Sequence, residues 1–284
     1  KRILELEQRS TKGCNVCIQH LLPHVMDFNG LFDKNIALYA TETDSFITTT
    51  WPERINLMDE AWVINQQMVD ASVKSGVNVP IKIIPHACDI STFERNYPDF
   101  EIPQIQDSFV FYTIGELVRR KNIVSLIKAF HLEFGVDEPV SLAIKANGRG
   151  INEDETFKHV KGICEQVKEN LKLYPVTDGY KKELIITQRL SELEMQSLHS
   201  TCDCYVAPSF GEAWCIPAFD AMAFGNTPIC TNTGGMKEFL KDGGGMLIEA
   251  HQEPCFGMTD SFNDLYTGRE NWDRIDIREL QKAM

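Results

Sequence analysis

The stretch Ser209-Phe210-Gly211-Glu212-Ala213-Trp214-Cys215-Ile216-Pro217-Ala218-Phe219-Asp220-Ala221-Met222-Ala223-Phe224-Gly225 decides how this chain is read. It follows a short apolar run, 204–207, that reads as a strand. Pro217 is placed to start a helix, because its fixed φ suits the first turn and the N–H it lacks would be orphaned there anyway. The order is therefore strand, loop with Glu212, helix start, helix with Asp220. Backbone N–H groups of Ala213, Trp214, Cys215 and Ile216 point out of such a helix start, and with the helix dipole they favour an anion. A phosphate or diphosphate at the carboxyl edge of a parallel sheet fits. Glu212, ahead of the helix, is placed to accept hydrogen bonds from sugar hydroxyls. Asp220, one turn inside, is placed to accept from the vicinal hydroxyls of a ribose, which suit a carboxylate's two oxygens. The plainer alternative is a loop acid and a helix-surface acid.

Outward from this stretch, similar short apolar runs recur at 15–19, 36–40, 61–64, 81–84, 109–114, 141–145, 184–187, 227–231 and 246–248. Each is apolar on both parities, as strands buried on two faces are. Helical patterns lie between many of them, such as 123–134 with Ile123, Leu126, Ile127 and Phe130 on one stripe. Strand–helix alternation predicts an α/β fold with parallel sheets covered by helices. Pro98 and Pro103, among Asp, Glu, Asn and Tyr, mark a boundary. We expect a partial first domain over 1–95, a linker over 96–107 and a complete second domain over 108–284. The first residue is Lys1, in mid-pattern, so an N-terminal segment is expected to be missing.

Two further segments fall at the same predicted sheet edge. In Thr113-Ile114-Gly115-Glu116-Leu117-Val118-Arg119-Arg120-Lys121-Asn122, three consecutive cations follow a strand. Arg119, Arg120 and Lys121 there can neutralise charge on a leaving phosphate, or can simply form a solvated basic loop. In 227–238, Gly234 and Gly235 allow close backbone approach or a positive-φ turn. Glu238 is expected to open the following helix, where negative charge is favourable. In the first half, His20, His24, His86 and Glu42 are candidates for a cleft, and Trp51 and Trp62 for core or cleft lining.

Composition narrows the classes. The 284 residues amount to about two domains. Apolar residues make up 43%, enough for a real core. Acids outnumber bases 41 to 28, for a net charge of −13, which gives no general attraction to nucleic acid or anionic lipid. No run of about 18 apolar residues, the length that spans a membrane as a helix, occurs. The nine cysteines include one C-x-x-C, Cys14 and Cys17, with no second pair at zinc spacing, so reduced thiols are the simplest reading. No P-loop, G-x-S-x-G or Asp-x-Asp occurs, and no metal site is expected.

Taken in order, Gly115 with Arg120-Lys121-Asn122, then Glu212 and Asp220 eight positions apart, then Pro228 with Gly234-Gly235 and Glu238, resemble the C-terminal nucleotide-binding domain of glycosyltransferase family 4. The resemblance runs over about 108–283, to a closing helix drawn from Trp272 to Leu280. It is looser in the first half, at Trp62-Val63 and at 84–89. It implies a GT-B fold, two Rossmann-like doubly wound domains facing a cleft, here with the N-terminal one incomplete. It implies retaining, metal-independent transfer of a sugar from a nucleotide diphosphate sugar, with no cofactor beyond that donor.

By the same resemblance Glu212 contacts the donor sugar, Asp220 the ribose, and Lys121, helped by Arg119 or Arg120, the diphosphate. The amides of Ala213, Trp214, Cys215 and Ile216, and the strand end at Gly115, complete the donor site. Glu42 and His20 stand on the acceptor side. The family's second acid is usually Glu, and here it is Asp220. The family often has Arg just after the glycine, and here it is Glu116. The expected acceptor is a sugar, glycan or lipid hydroxyl, as in cytoplasmic polysaccharide biosynthesis, with no nucleic-acid partner and no integral membrane segment. The alternatives are a nucleotide-sugar epimerase of similar fold and a non-catalytic nucleotide-sugar-binding module.

Overall fold

A computed structural model describes residues 2–102, 107–258 and 264–284. Lys1, Pro103 and the rest of 103–106 and 259–263 lie outside the described residues. The chain divides into two compact units, Lys1–Pro85 and His86–Met284. Among the described residues no helix is long and apolar enough to cross a membrane.

The first unit carries a parallel sheet of β1 (Val16–His20), β2 (Lys34–Leu38), β3 (Glu60–Val63) and β4 (Ile81–Ile83), paired in sequence order. Its helices are α1 (Arg2–Glu7), α2 (Trp51–Ile55) and α3 (Gln66–Lys74). Asn65 caps α3 by accepting from the Met68 N–H. Trp51 is core, while Trp62 is half-buried and its indole N–H donates to Glu60. Only β2 and β3 are well buried. β1 is an edge whose Val16 and Ile18 are exposed, so the expectation of burial on both faces fails there.

The second unit holds six parallel strands: β5 (Phe109–Glu116), β6 (Val140–Asn147), β7 (Leu184–Ile186), β8 (Cys204–Ala207), β9 (Ile229–Thr231) and β10 (Met246–Ile248). Their spatial order is β10-β9-β8-β5-β6-β7, so the direction of winding reverses between β5 and β8. Alternate side chains of each strand serve opposite faces. Phe111, Leu142 and Ile144 pack with Leu126, Ile127 and Phe130 of α4 (Ile123–Glu133), with Val160 of α5 (Glu153–Leu171) and with Leu280 of α9 (Ile277–Ala283). Tyr112, Ala143 and Tyr205 pack with Leu198 of α6 (Glu192–Thr201), Ala218 and Ala221 of α7 (Ile216–Ala223), and Met236 of α8 (Gly234–Leu240). Helices therefore cover both faces, the doubly wound arrangement.

Two elements differ from expectation. Trp272 lies on a strand, β12 (Asn271–Ile275), which pairs antiparallel with β11 (Ala250–Pro254). The closing helix α9 starts only after Asp276, whose side chain accepts from the Arg278 N–H and caps it. Likewise α8 opens at Gly234 behind Thr233, so Glu238 sits inside that helix rather than at its start. Phe100, in the stretch read as linker, packs on the second unit's core, and its N–H donates to Thr201 Oγ1 at 2.7 Å.

Candidate functional site

The site is assembled at the β5–β8 reversal, where ligands of open parallel sheets bind beyond the carboxyl ends of the strands. After β5 the chain forms one 3₁₀ turn, Arg119–Lys121, and then enters α4 through Asn122 in the left-handed region (φ 51). Asn tolerates that region well. Its side chain locks the turn, with Nδ2 donating to Pro208 O at 2.9 Å and Oδ1 accepting from Ser125 Oγ at 2.9 Å. The turn is thereby tied to the loop after β8. The Phe210 N–H donates to Arg120 O at 2.9 Å, and Arg120 Nη1 donates to Gly211 O at 2.6 Å.

Glu212 is held between the two cations. Lys121 Nζ lies 2.6 Å from its Oε1, and Arg120 Nη1 lies 3.2 Å from its Oε2. Its side chain is only 6% exposed. Burial pushes its pKa upward, but Arg120, Lys121 and a hydrogen bond from Ser209 outweigh that, and the carboxyl sits below its ordinary value. It is therefore ionised at neutral pH. The stem of Lys121 runs over Gly115, where an added Cβ would lie 3.5 Å from it.

The tandem glycines support the same loop from the other side. A Cβ on Gly234 would come within 1.7 Å of Glu212 O, and one on Gly235 within 2.5 Å of the Trp214 Cα. The Gly235 N–H donates to Glu212 O at 3.2 Å. Behind the loop, Phe210 stacks on Trp272 with ring centroids 4.7 Å apart, and the Asp273 N–H donates to Phe210 O at 2.7 Å. Sequence reasoning missed this support, because β12 has no apolar run to announce it.

Cys215 caps α7 in the left-handed region (φ 68), and Pro217 occupies the first turn as expected. The backbone N–H groups of Trp214, Cys215 and Ile216 make no hydrogen bond among the described residues. Burial pushes the Cys215 thiol up to about 12, so it is a neutral wall rather than a nucleophile. Trp214 is buried against Phe219, Phe239 and the His86 ring, and its indole N–H has no partner among the described residues.

The other candidates have settings of their own. Arg119 lies over the Phe256 ring and beside Gly257. Asp220 is half-buried on α7, and its carboxylate makes no hydrogen bond or ion pair among the described residues. Burial raises its pKa to about 6, and its charge is felt at the Tyr112 hydroxyl. Glu116 pairs with Arg149, Oε1 to Nε at 2.9 Å. Glu238 lies 3.7 Å from Lys241. In the first unit His20 is exposed at the end of β1, and Glu42 is half-buried in the loop after β2. Cys14 and Cys17 are free thiols. Among the described residues no three His, Cys, Asp or Glu side chains gather as a metal site.

The profile of a family described as Glycosyl transferases group 1 matches residues 98–255, more than half of the chain. The chain belongs to that family. As a group 1 glycosyl transferase it is 23% identical over 208 residues to lipopolysaccharide 1,2-N-acetylglucosaminetransferase of Salmonella typhimurium, covering 72% of this chain and 51% of that protein. It is 22% identical over 177 residues to sucrose synthase 2 of Pisum sativum, covering 61% of this chain and 22% of that protein. The chain thus spans about half or less of these curated relatives. Its fold is similar to OtsA without ligand (TM-score 0.63, 10% identity, 82% of this chain and 61% of that one). It is also similar to Anabaena HepE in complex with UDP and glucose (TM-score 0.56, 16% identity, 76% and 58%). Those likenesses show the GT-B class of fold for this group 1 member.

Proposed function

We propose that the chain transfers a sugar from a nucleoside diphosphate sugar to an acceptor hydroxyl, with retention and without a metal ion. The observation that carries this reading is the ionised Glu212 clamped by Arg120 and Lys121 beside the open amides of Trp214, Cys215 and Ile216. Cations and helix-start amides bind a diphosphate, and a buried carboxylate beside them binds sugar hydroxyls. Transfer of N-acetylglucosamine by one relative and the UDP complex of a structural neighbour support a nucleotide-sugar donor.

As the bond between the anomeric carbon and the diphosphate oxygen breaks, positive charge grows on the sugar and negative charge on the diphosphate. Arg120, Lys121 and the amides of Trp214 to Ile216 stabilise the departing diphosphate. Glu212, released from part of its ion pairing, orients the sugar. The acceptor oxygen bonds to the anomeric carbon from the leaving-group face, and its proton passes to a diphosphate oxygen. No enzymic nucleophile is needed, in keeping with the neutral Cys215. Asp220 holds the ribose through its ionised form.

The test is NMR of the product formed from an α-linked nucleotide sugar in the presence of EDTA. An α-glycoside supports the reading. A β-glycoside, loss of all turnover in EDTA, or isomerised donor with no transfer overturns it.

A further inference from the structure

Lys145 is a buried lysine that the donor-site cluster does not use. It lies in β6, is 6% exposed, and has no carboxylate within ion-pair distance among the described residues. Among the described residues the one hydrogen bond of its ammonium is a long 3.5 Å contact from Nζ to Ala146 O. A buried ammonium normally gains a partner, because isolated burial is costly. Here burial lowers its pKa, and only the attraction of Glu153 opposes that. Glu153, at the start of α5, accepts from the Arg189 N–H at 2.7 Å, which ties the loops after β6 and β7 together.

The position follows from register. Lys145 pairs with Ile114, one residue before the Gly115 that carries the Lys121 stem. Tyr112, Ile114 and Lys145 share one face by alternation, the face on which α7, the helix of Asp220, packs. Arg120, Lys121 and Glu212 follow β5 and β8, and Gly234 after β9 closes against the Glu212 backbone, so in the donor reading the diphosphate lies over β5 and β8 with the sugar at Glu212. The nucleoside end must then extend the opposite way, over β6 and β7.

We propose that Lys145 reads the nucleobase of the donor, selecting a base with a carbonyl oxygen on its exposed edge, uracil or guanine, over adenine. This rests on the donor reading above. An ammonium has three donors and no acceptor, so it matches a carbonyl oxygen and faces the exocyclic amine of adenine donor to donor. A buried donor left unmatched forfeits its hydration without return.

The experiment titrates UDP, GDP and ADP calorimetrically into the chain and into Lys145→Met, with Lys145→Gln as the second variant should the first fail to melt cooperatively. The unaltered chain binds UDP or GDP at least tenfold tighter than ADP, and the variant brings that ratio to within about threefold by weakening the carbonyl-bearing nucleotide. Lys145→Arg keeps the preference. Tightest binding of ADP, or an unchanged ratio in the variant, overturns this inference and leaves the donor site standing. Failure of all three nucleotides to bind the unaltered chain overturns both.

Discussion

Lys121 Nζ and Glu212 Oε1 meet at 2.6 Å across 91 positions of sequence, joining the turn after β5 to the loop after β8. The pair is nearly enclosed, so each charge needs the other. Removing the lysine leaves Arg120 at 3.2 Å as the carboxylate's remaining cation. Lys121→Met is therefore expected to destabilise the fold by about 2 kcal/mol, below the full cost of stripping a buried charge of every partner. Urea melts of Lys121→Met, Glu212→Gln and the double variant measure the coupling. Because the folded-state pKa of Glu212 is lowered, its contribution is present above the unfolded value of 4.5 and lost as pH falls through the folded one. The coupling should thus be constant from pH 5 to pH 8. A coupling that titrates within that window contradicts the assignment.

Asp220 follows the opposite rule. Its folded pKa is raised from 3.8 to about 6 by burial, so the folded state prefers the protonated form. Stability is lost as pH rises from the unfolded to the folded value and stays lost above it. Asp220→Asn is expected to stabilise the protein by about 1 kcal/mol at pH 8, after discounting for partial exposure, and to make no difference below pH 4. Melting temperatures at the two pH values check this. If Asp220 holds a ribose as a carboxylate, nucleotide affinity also rises through pH 6 in the unaltered chain and loses that step in Asp220→Asn.

The glycine pair offers a steric test. Gly234 combines φ +53 with a Glu212 carbonyl 1.7 Å from any added Cβ, so Gly234→Ala must move the Glu212 loop. The expected cost is roughly 3 kcal/mol, with loss of nucleotide binding. Gly225 also has positive φ (+89) but open space around it, so Gly225→Ala should cost only about 1 kcal/mol and leave binding intact. Equal losses in stability and binding for the two would show that the close approach to Glu212 is immaterial.

Trp272 supports the same loop from β12. Trp272→Ala empties the place against Phe210 and is expected to cost about 3–5 kcal/mol. It should also weaken nucleotide binding more than Trp51→Ala in the first unit does. Comparable nucleotide affinity in both variants would argue against a supporting role for the stack.

How much of this was legible depended on burial. The central strands of the second unit are enclosed on both faces, so their sequences are continuous apolar runs, and 204–207 coincides with β8. The run 246–248 coincides with the edge strand β10 although Met246 is exposed. β11 escaped notice because His251, Gln252 and Glu253 lie on a two-stranded ribbon with no apolar run, and β12 because Asp273 and Arg274 interrupt it. Glu238 lies inside α8 because the positive φ of Gly234 lets the helix begin four residues earlier than the charge pattern suggests. The meeting of Arg120, Lys121 and Glu212 could be anticipated, since each follows a strand of one sheet on its carboxyl side. That the Asp220 carboxylate forms no ion pair among the described residues could not, because spacing along a helix does not say what the side chain meets. Lys145 is legible in the sequence as a lysine inside an otherwise apolar strand run.

The central claim is that the cations at 120 and 121 and the start of α7 form one diphosphate site. Calorimetric titration of a nucleoside diphosphate into the unaltered chain and into Lys121→Ala tests it most directly, with the corresponding nucleoside as control. The account predicts at least tenfold weaker binding of the diphosphate by the variant and unchanged binding of the nucleoside. Equal affinity of both proteins for the diphosphate would contradict it.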